Sequence, residues 1–215
     1  MTQPLKADTP TRRTAPRDVR RRQLIMAAID SISKRGFSDT TLRHVTEKAK
    51  LSHGVVNYHF DSKEALYDAT LGYLAKEHYE VWSKYMADAG PDPADQLAAI
   101  INADFDKKVC TPKKLAVWFA FWGQAKYRPN YLKIHNKYDN ERSDDLQRIC
   151  GALVEDGGYK TITARRAAHM VEALLDGYWL SMLLYPTTTS RDDARQDCMD
   201  ALADIFPQHF PRGLA

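Results

Sequence analysis

The chain has 215 residues, 44% hydrophobic and 27% charged, a balance that suits a globular protein and excludes a fully disordered or membrane-embedded one. Its net charge of +3 hides an asymmetry: residues 1–60 hold 12 Lys/Arg against 5 Asp/Glu, which leaves the remainder net acidic. A basic N-terminal segment on a mildly acidic body points to a polyanion partner, nucleic acid first and a membrane surface second.

Residues 1–16 mix Pro4, Pro10 and Pro16 with Thr, Arg and Lys and hold almost nothing to bury, so a mobile basic tail is expected. No apolar central region of a signal peptide opens the chain. From Arg17 the pattern turns helical, with Leu24, Ile25, Ala28, Ile29 and Ile32 recurring at three and four and Gly36 as the stop. A short helix follows Asp39 or Thr40 and buries Leu42, Val45 and Ala49. Ser52 can cap a third, and a longer helix is expected from Ser62 to about Ala87, before Gly90, Pro91 and Pro93 break it. Helices are then expected at about 93–108, 112–126, 129–156, 163–185 and 190–206, punctuated by Pro112, Pro129, Gly157, Gly158 and Pro186. No strand pattern competes, so the expected fold is all-α. The longest nearly apolar run, 174–185, is too short to span a bilayer and contains Asp176; the expectation is a cytoplasmic chain with no membrane partner. Cys110, Cys150 and Cys198 lack metal or disulfide spacing and read as reduced core residues.

Two short helices joined by three or four residues, with a basic helix before them, match the unit whose second helix enters the major groove. The first would begin at Thr41 and the reading helix would run from Ser52 to about Tyr58. Leu42, Val45, Leu51 and Val56 can close a small core, leaving His53, Gly54, Val55, Asn57, Tyr58 and His59 near the other side. Asn57 and His53 suit base edges, Val55 a thymine methyl, Tyr58 or His59 a phosphate, and Gly54 a close backbone approach. Thr40, Thr41, Arg43 and Lys63 complete the candidate DNA-binding set. Phe60 reads as core, and His59 reads as core or contact.

The stretch 41–60, TLRHVTEKAKLSHGVVNYHF, followed by Lys63 and Leu66, resembles the DNA-binding signature of the TetR family. Lys50 stands where that family commonly has Gly, and Thr46 where it commonly has Ala. The resemblance implies a three-helix DNA-binding head over residues 17–61, with the helix-turn-helix at about 41–60. It also implies a helical effector-binding and dimerisation body over 62–215.

Trp118, Phe119, Phe121 and Trp122 crowd one and a half turns, and Trp118 and Trp122 share a face. Further on, Asp176, Tyr178 and Trp179 interrupt a helix otherwise apolar nearly all round, where a carboxylate is costly unless partnered. One reading is an aromatic box with a nearby acid for a quaternary ammonium; the other is ordinary core with Asp176 bonded to a neighbour. The segments RRRQLI at 20–25, WFAFW at 118–122 and LLDGYWL at 174–180 are similar to BetI-type repressors, although Tyr178 and Ser181 depart from that pattern. This resemblance implies choline or a close relative as effector, for which the aromatic-box reading offers Trp118, Trp122, Asp176, Tyr178 and Trp179 as ligand residues. It also implies repression of glycine betaine synthesis genes from double-stranded operator DNA, which a two-fold dimer would read as an inverted repeat.

Ala194, Cys198, Ala201, Leu202 and Ile205 form an apolar stripe which, with Met170, Leu174, Leu183 and Leu184, is expected to make a homodimer seam or to cap the protomer. An enzyme is the rival class, but the seven histidines form no metal pair on one helix, and no phosphate loop or nucleophile elbow occurs. Asp104, Asp106 and His135 read as solvated helix charges. No catalytic residue, metal or cofactor is expected.

Overall fold

Most helices begin where the sequence supplies a cap. The hydroxyls of Thr41, Ser62, Thr111, Thr163 and Ser190 and the carboxylate of Asp92 each accept a backbone N–H from the first turn they precede. Pro93, Pro112 and Pro129 then occupy first-turn positions, where a missing N–H costs nothing. The computed structural model describes residues 16–210. In chain order they form α1 (Arg17–Asp39), α2 (Leu42–Ala49), α3 (His53–His59), α4 (Lys63–Ala89), α5 (Pro93–Asp104), α6 (Pro112–Ala125), α7 (Pro129–Asp156), α8 (Ala164–Leu184) and α9 (Arg191–Ile205). No strand occurs among the described residues, as the sequence pattern requires. The tail expected over 1–16 lies, Pro16 apart, outside them.

The head is a three-helix packet. Leu24, Ala28, Val45, Val56 and Phe60 close its core against Leu66 of α4, the leucine, valine and phenylalanine side chains each worth about 1.5–3 kcal/mol of burial. Gln23 on α1 donates to the Ala49 carbonyl at 2.7 Å and so occupies a free carbonyl at the end of α2. Gly36 sits at φ +79° and breaks α1 at the expected place. Lys50 takes a left-handed conformation, φ 54° and ψ 43°, in the turn between α2 and α3. That is the backbone demand a glycine would meet without strain, so the family's usual residue is intelligible and Lys50 holds the same turn at a cost.

α4 crosses from head to body, packing on α1 near its start and on α5 and α7 further along. α5 stops at Asp104, short of the expected 108. Asp106 explains the stop: its carboxylate accepts the Lys108 N–H at 2.7 Å and the Tyr85 hydroxyl at 2.9 Å, which favours a turn over continued helix.

The proposed seam on α9 needs correction. Ala194, Cys198 and Leu202 are fully buried inside the protomer, where α9 packs on α5 and α8. The outward apolar stripe lies on α8 instead. Met170, Ala173, Gly177, Leu180 and Leu184 recur at three and four and are all exposed. All three cysteines are buried, and burial pushes each thiol up to about 12. No helix among the described residues is long and apolar enough to cross a membrane.

Candidate functional site

The outer surface of α3 carries the chemistry expected of a reading helix. Ser52, His53, Gly54 and Asn57 are exposed, and Tyr58 is 70% exposed with Arg17 stacked on its ring at 5.7 Å. A side chain at Gly54 would meet nothing closer than the Ser52 hydroxyl at 3.9 Å, so the protomer itself does not require glycine there. Thr41 and Arg43 are exposed too, with Arg43 paired to Glu47 at 2.8 Å. Lys63 rests its ammonium over the Tyr67 ring at 5.1 Å.

Three members of the expected set stand apart. Thr40 has no exposed surface; its hydroxyl donates to the Gly36 carbonyl and its own carbonyl accepts from Tyr67, so it ties the head together and is removed from the DNA-binding set. Val55 is only half-buried and stays available. His59 is half-buried with an unpartnered Nδ1, and burial, then Arg17 and Arg21, hold its pKa below the ordinary value. Its imidazole is therefore neutral near pH 7, and its carbonyl is held by Arg21 at 3.2 Å.

The second site is a cavity of about 160 Å³ inside the body, bounded by α4, the end of α5, α6, α7 and α8. Three indoles line it. Trp118 and Trp122 lie 6.1 Å apart at 47°, as the helical spacing anticipated, and Trp179 enters from α8 with its N–H donated to the Asp104 carbonyl at 3.2 Å. His135 stands edge-on to Trp118 at 5.7 Å and His78 to Trp179 at 5.7 Å.

Around the rings stand four carboxylates, Asp104, Asp139, Glu172 and Asp176, with one guanidinium, Arg142. Asp104 is buried and bonded to His78 at 2.8 Å; Arg142 donates to Asp139 at 3.0 Å and lies 3.7 Å from Glu172. Four acids against one fixed cation give the cavity a negative field that a bound cation would relieve. Asp176 keeps accessible surface at the cavity mouth, yet the protein beside it raises its pKa to about 6. The causes are burial first, with Arg142 opposing and the other three acids adding to the rise.

Tyr178 does not share this cavity. Its hydroxyl donates to Asp197 of α9 at 2.9 Å, because one step along α8 from Gly177 or Trp179 turns a side chain by about 100°. The reading of Asp104 and His135 as solvated charges is also overturned: both line the cavity, whereas Asp106 belongs to the turn described above. His78, Asp139, Arg142 and Glu172 were not singled out in the sequence at all. Their signal was helical spacing, with 135, 139 and 142 on one face of α7 and 172, 176 and 179 on one face of α8.

The description of the matching C-terminal family model is BetI-type transcriptional repressor, and it covers residues 93–207, more than half of the chain. The chain belongs to the BetI-type branch of the TetR family. A second match, bacterial regulatory proteins of the tetR family, covers residues 24–70, the head and the start of α4. Among curated relatives, the HTH-type transcriptional regulator BetI of Stenotrophomonas maltophilia (strain R551-3) is 33% identical over 75% of this chain and 80% of its own length. A crystal structure of a transcriptional regulator from Pseudomonas aeruginosa PAO1 matches with a TM-score of 0.77 and 26% identity, covering 93% of this chain and 96% of that one. A regulator from Saccharomonospora viridis, solved in complex with choline, matches with a TM-score of 0.72 and 19% identity over 86% and 96% of the two chains. At that identity the likeness is one of fold. The BetI-type chain is therefore a transcriptional regulator and not an enzyme.

Proposed function

We propose that this BetI-type protein represses betaine synthesis genes and that choline, bound in the α4–α8 cavity, sets its affinity for the operator. The observation that carries this reading is the pairing of three indole rings with four carboxylates around one cavity. A quaternary ammonium donates no N–H bond, so ring faces and surplus negative charge are what a site can offer it. The volume is comparable to a cavity of roughly 150 Å³ that holds a benzene-sized molecule. The choline complex of the Saccharomonospora viridis regulator adds support from a chain of the same fold.

In this reading Asn57, His53, Ser52 and Val55 meet base edges, while Thr41, Arg43, Tyr58 and Lys63 hold phosphates. Two protomers join through the outward stripe of α8 and present two α3 helices to an inverted repeat, about one DNA turn apart.

The link between the sites is α6. It carries Trp118 and Trp122 in the cavity, and between them Phe121, which packs on Phe37 of α1 at 5.6 Å. At its start Lys113 pairs with Asp30 of α1, which also holds Lys48 of α2 at 3.1 Å. A ligand that shifts α6 thereby biases the head, and the same coupling must appear in choline affinity when DNA is bound.

Calorimetric titration with choline tests the site. Trp122→Ala, which removes one ring face, is expected to weaken binding roughly five- to thirtyfold and to leave ligand-free operator binding intact. Unchanged choline affinity in that variant would place the effector elsewhere.

A further inference from the structure

Residues 126–138, KYRPNYLKIHNKY, hold Lys126, Arg128, Lys133 and Lys137 and no Asp or Glu, within a body that is net acidic. They make the α6–α7 turn and the first turns of α7. Tyr131 and His135 turn one side of this stretch to the core, Tyr131 against Phe121 at 5.2 Å and His135 against Trp118. Lys126, Lys133 and Lys137 are exposed, as are Tyr127 and Leu132. Arg128 lies 4.0 Å from Glu64 of α4, and Asn130 donates to Asp68 of α4 at 2.6 Å, so these two acids are already engaged. Lys126, Lys133 and Lys137 have no carboxylate partner among the described residues. Cations left unpaired on an acidic body make a local positive field, and a polyanion answers it.

The turn sits at the head end of the body. α7 runs parallel to α4, with Asn130 bonded to Asp68 and Glu141 to Tyr79 at 2.9 Å, so the two helices start side by side. Arg128 covers the Phe37 ring at 5.3 Å, Phe37 meets Tyr67 at 4.8 Å, and Lys63 covers the Tyr67 ring at 5.1 Å. One aromatic pair therefore separates the α6–α7 turn from Lys63, the residue assigned above to a phosphate. Each strand of a duplex offers one phosphate per roughly 3.4 Å of its axis, so a second cation this close to Lys63 has a phosphate to meet. Lys133 and Lys137 climb away from the head, about 6 and 12 Å along α7 from Pro129.

We infer that the α6–α7 turn is a second DNA-backbone contact, in which Lys126 takes a phosphate beside the one held by Lys63. The inference rests on the start of α4 facing DNA. It carries the duplex contact from the head onto the body, and it adds affinity without adding sequence preference, since a phosphate is the same at every base pair. Lys133 and Lys137 supply field and not contact.

The test measures binding of the full-length protein to a random-sequence duplex of about 30 base pairs by fluorescence anisotropy, as a function of salt. Lys126→Ala is expected to lower the salt slope by about 0.9 and to weaken binding roughly three- to tenfold at about 0.1 M salt, as for one lost phosphate contact. Lys126→Arg keeps the charge and should bind as wild type does. Lys137→Ala is expected to stay within twofold, because the field of an exposed charge decays over roughly 10 Å at that salt. All three substitutions are at exposed positions, and unchanged thermal unfolding confirms that the fold is intact. Wild-type slope and affinity in Lys126→Ala would overturn the contact. Equal losses in Lys126→Ala and Lys137→Ala would also overturn it, since they would mean a diffuse field with no grip at the turn. Lys63→Ala separates this inference from the reading beneath it: an unchanged slope there, with a lowered one in Lys126→Ala, removes Lys63 from the phosphate set and leaves the turn contact standing. If neither variant changes the slope, both assignments fall together.

Discussion

Asp176→Asn is expected to change binding and stability in opposite directions. The carboxyl titrates at about 6 in the folded protein, raised chiefly by burial, against about 3.9 in an unfolded chain. An acid raised by folding holds its proton more tightly in the native state. Stability is therefore lost as pH rises from about 4 through about 6, and the whole penalty is present at pH 7.5. For a fully enclosed carboxylate that gap is worth about 3 kcal/mol. Asp176 is open to water at the cavity mouth, so screening reduces it to the order of 1 kcal/mol.

Asparagine keeps the shape and removes the charge, so the ligand-free variant is expected to melt about 2–4 °C higher at pH 7.5 and to match wild type near pH 4. Choline should bind it more weakly, because one of the four carboxylates is gone. Wild-type choline affinity is expected to be flat above pH 7 and to fall about tenfold by pH 5 as Asp176 gains its proton. Asp104, Asp139, Glu172, Arg142, His78 and His135 face the same cavity, so any slope that survives in the variant belongs to them. The assays are thermal unfolding and calorimetry across pH 5–8. A variant that loses stability at pH 7.5, or binds choline as tightly as wild type throughout, would refute the reasoning.

In the head, Asn57→Ala is expected to lower affinity for the operator more than for random duplex, whereas Lys63→Ala weakens both alike and reduces the salt slope by about one ion; equal losses in both variants would remove Asn57 from base reading. Asp30→Asn cuts the tie between α6 and the head, so the choline effect on operator affinity should shrink while choline binding to the free protein stays within about twofold; an unchanged effect would exclude Asp30 from the coupling. That tie also has an acid limit. Burial works to raise the Asp30 carboxyl, but Lys113 and Lys48 more than offset it and hold the pKa below the ordinary value, so the contact is present near neutrality and lost only in strong acid. Gly177→Arg adds a side chain where nothing in the protomer lies within 4 Å, so the fold should survive while sedimentation shows monomer; a persisting dimer would move the seam off α8.

The helices were legible because their caps and breakers are local. Ser62, Pro93, Pro112 and Pro129 act within one turn of themselves, and their elements start within a residue of expectation, whereas α2 is capped by Thr41 and not by the expected Asp39 or Thr40. α5 was overextended because Asp106 ends it through bonds to Lys108 and Tyr85, and the second of these is a tertiary contact. The aromatic half of the cavity was readable from Trp118 and Trp122, which sit on one helix. Of the charged half only Asp176 was readable, since Asp104, His78 and Arg142 come from α5, α4 and α7 and meet only when those helices pack. Tyr178 misled for the converse reason: it is a sequence neighbour of Trp179 but points at α9. Thr40 looked like a cap beside the reading unit, and only the packing of Tyr67 shows that it is sealed inside.

The most direct test of the account is the linkage between choline and DNA. Operator affinity of wild-type protein is measured by fluorescence anisotropy with and without saturating choline, and choline affinity is measured by calorimetry with and without saturating operator. If the cavity regulates the head, choline changes operator affinity by some factor of five or more, and operator changes choline affinity by that same factor. Choline that binds in the cavity while both affinities stay unchanged would contradict the claim that this site controls DNA binding.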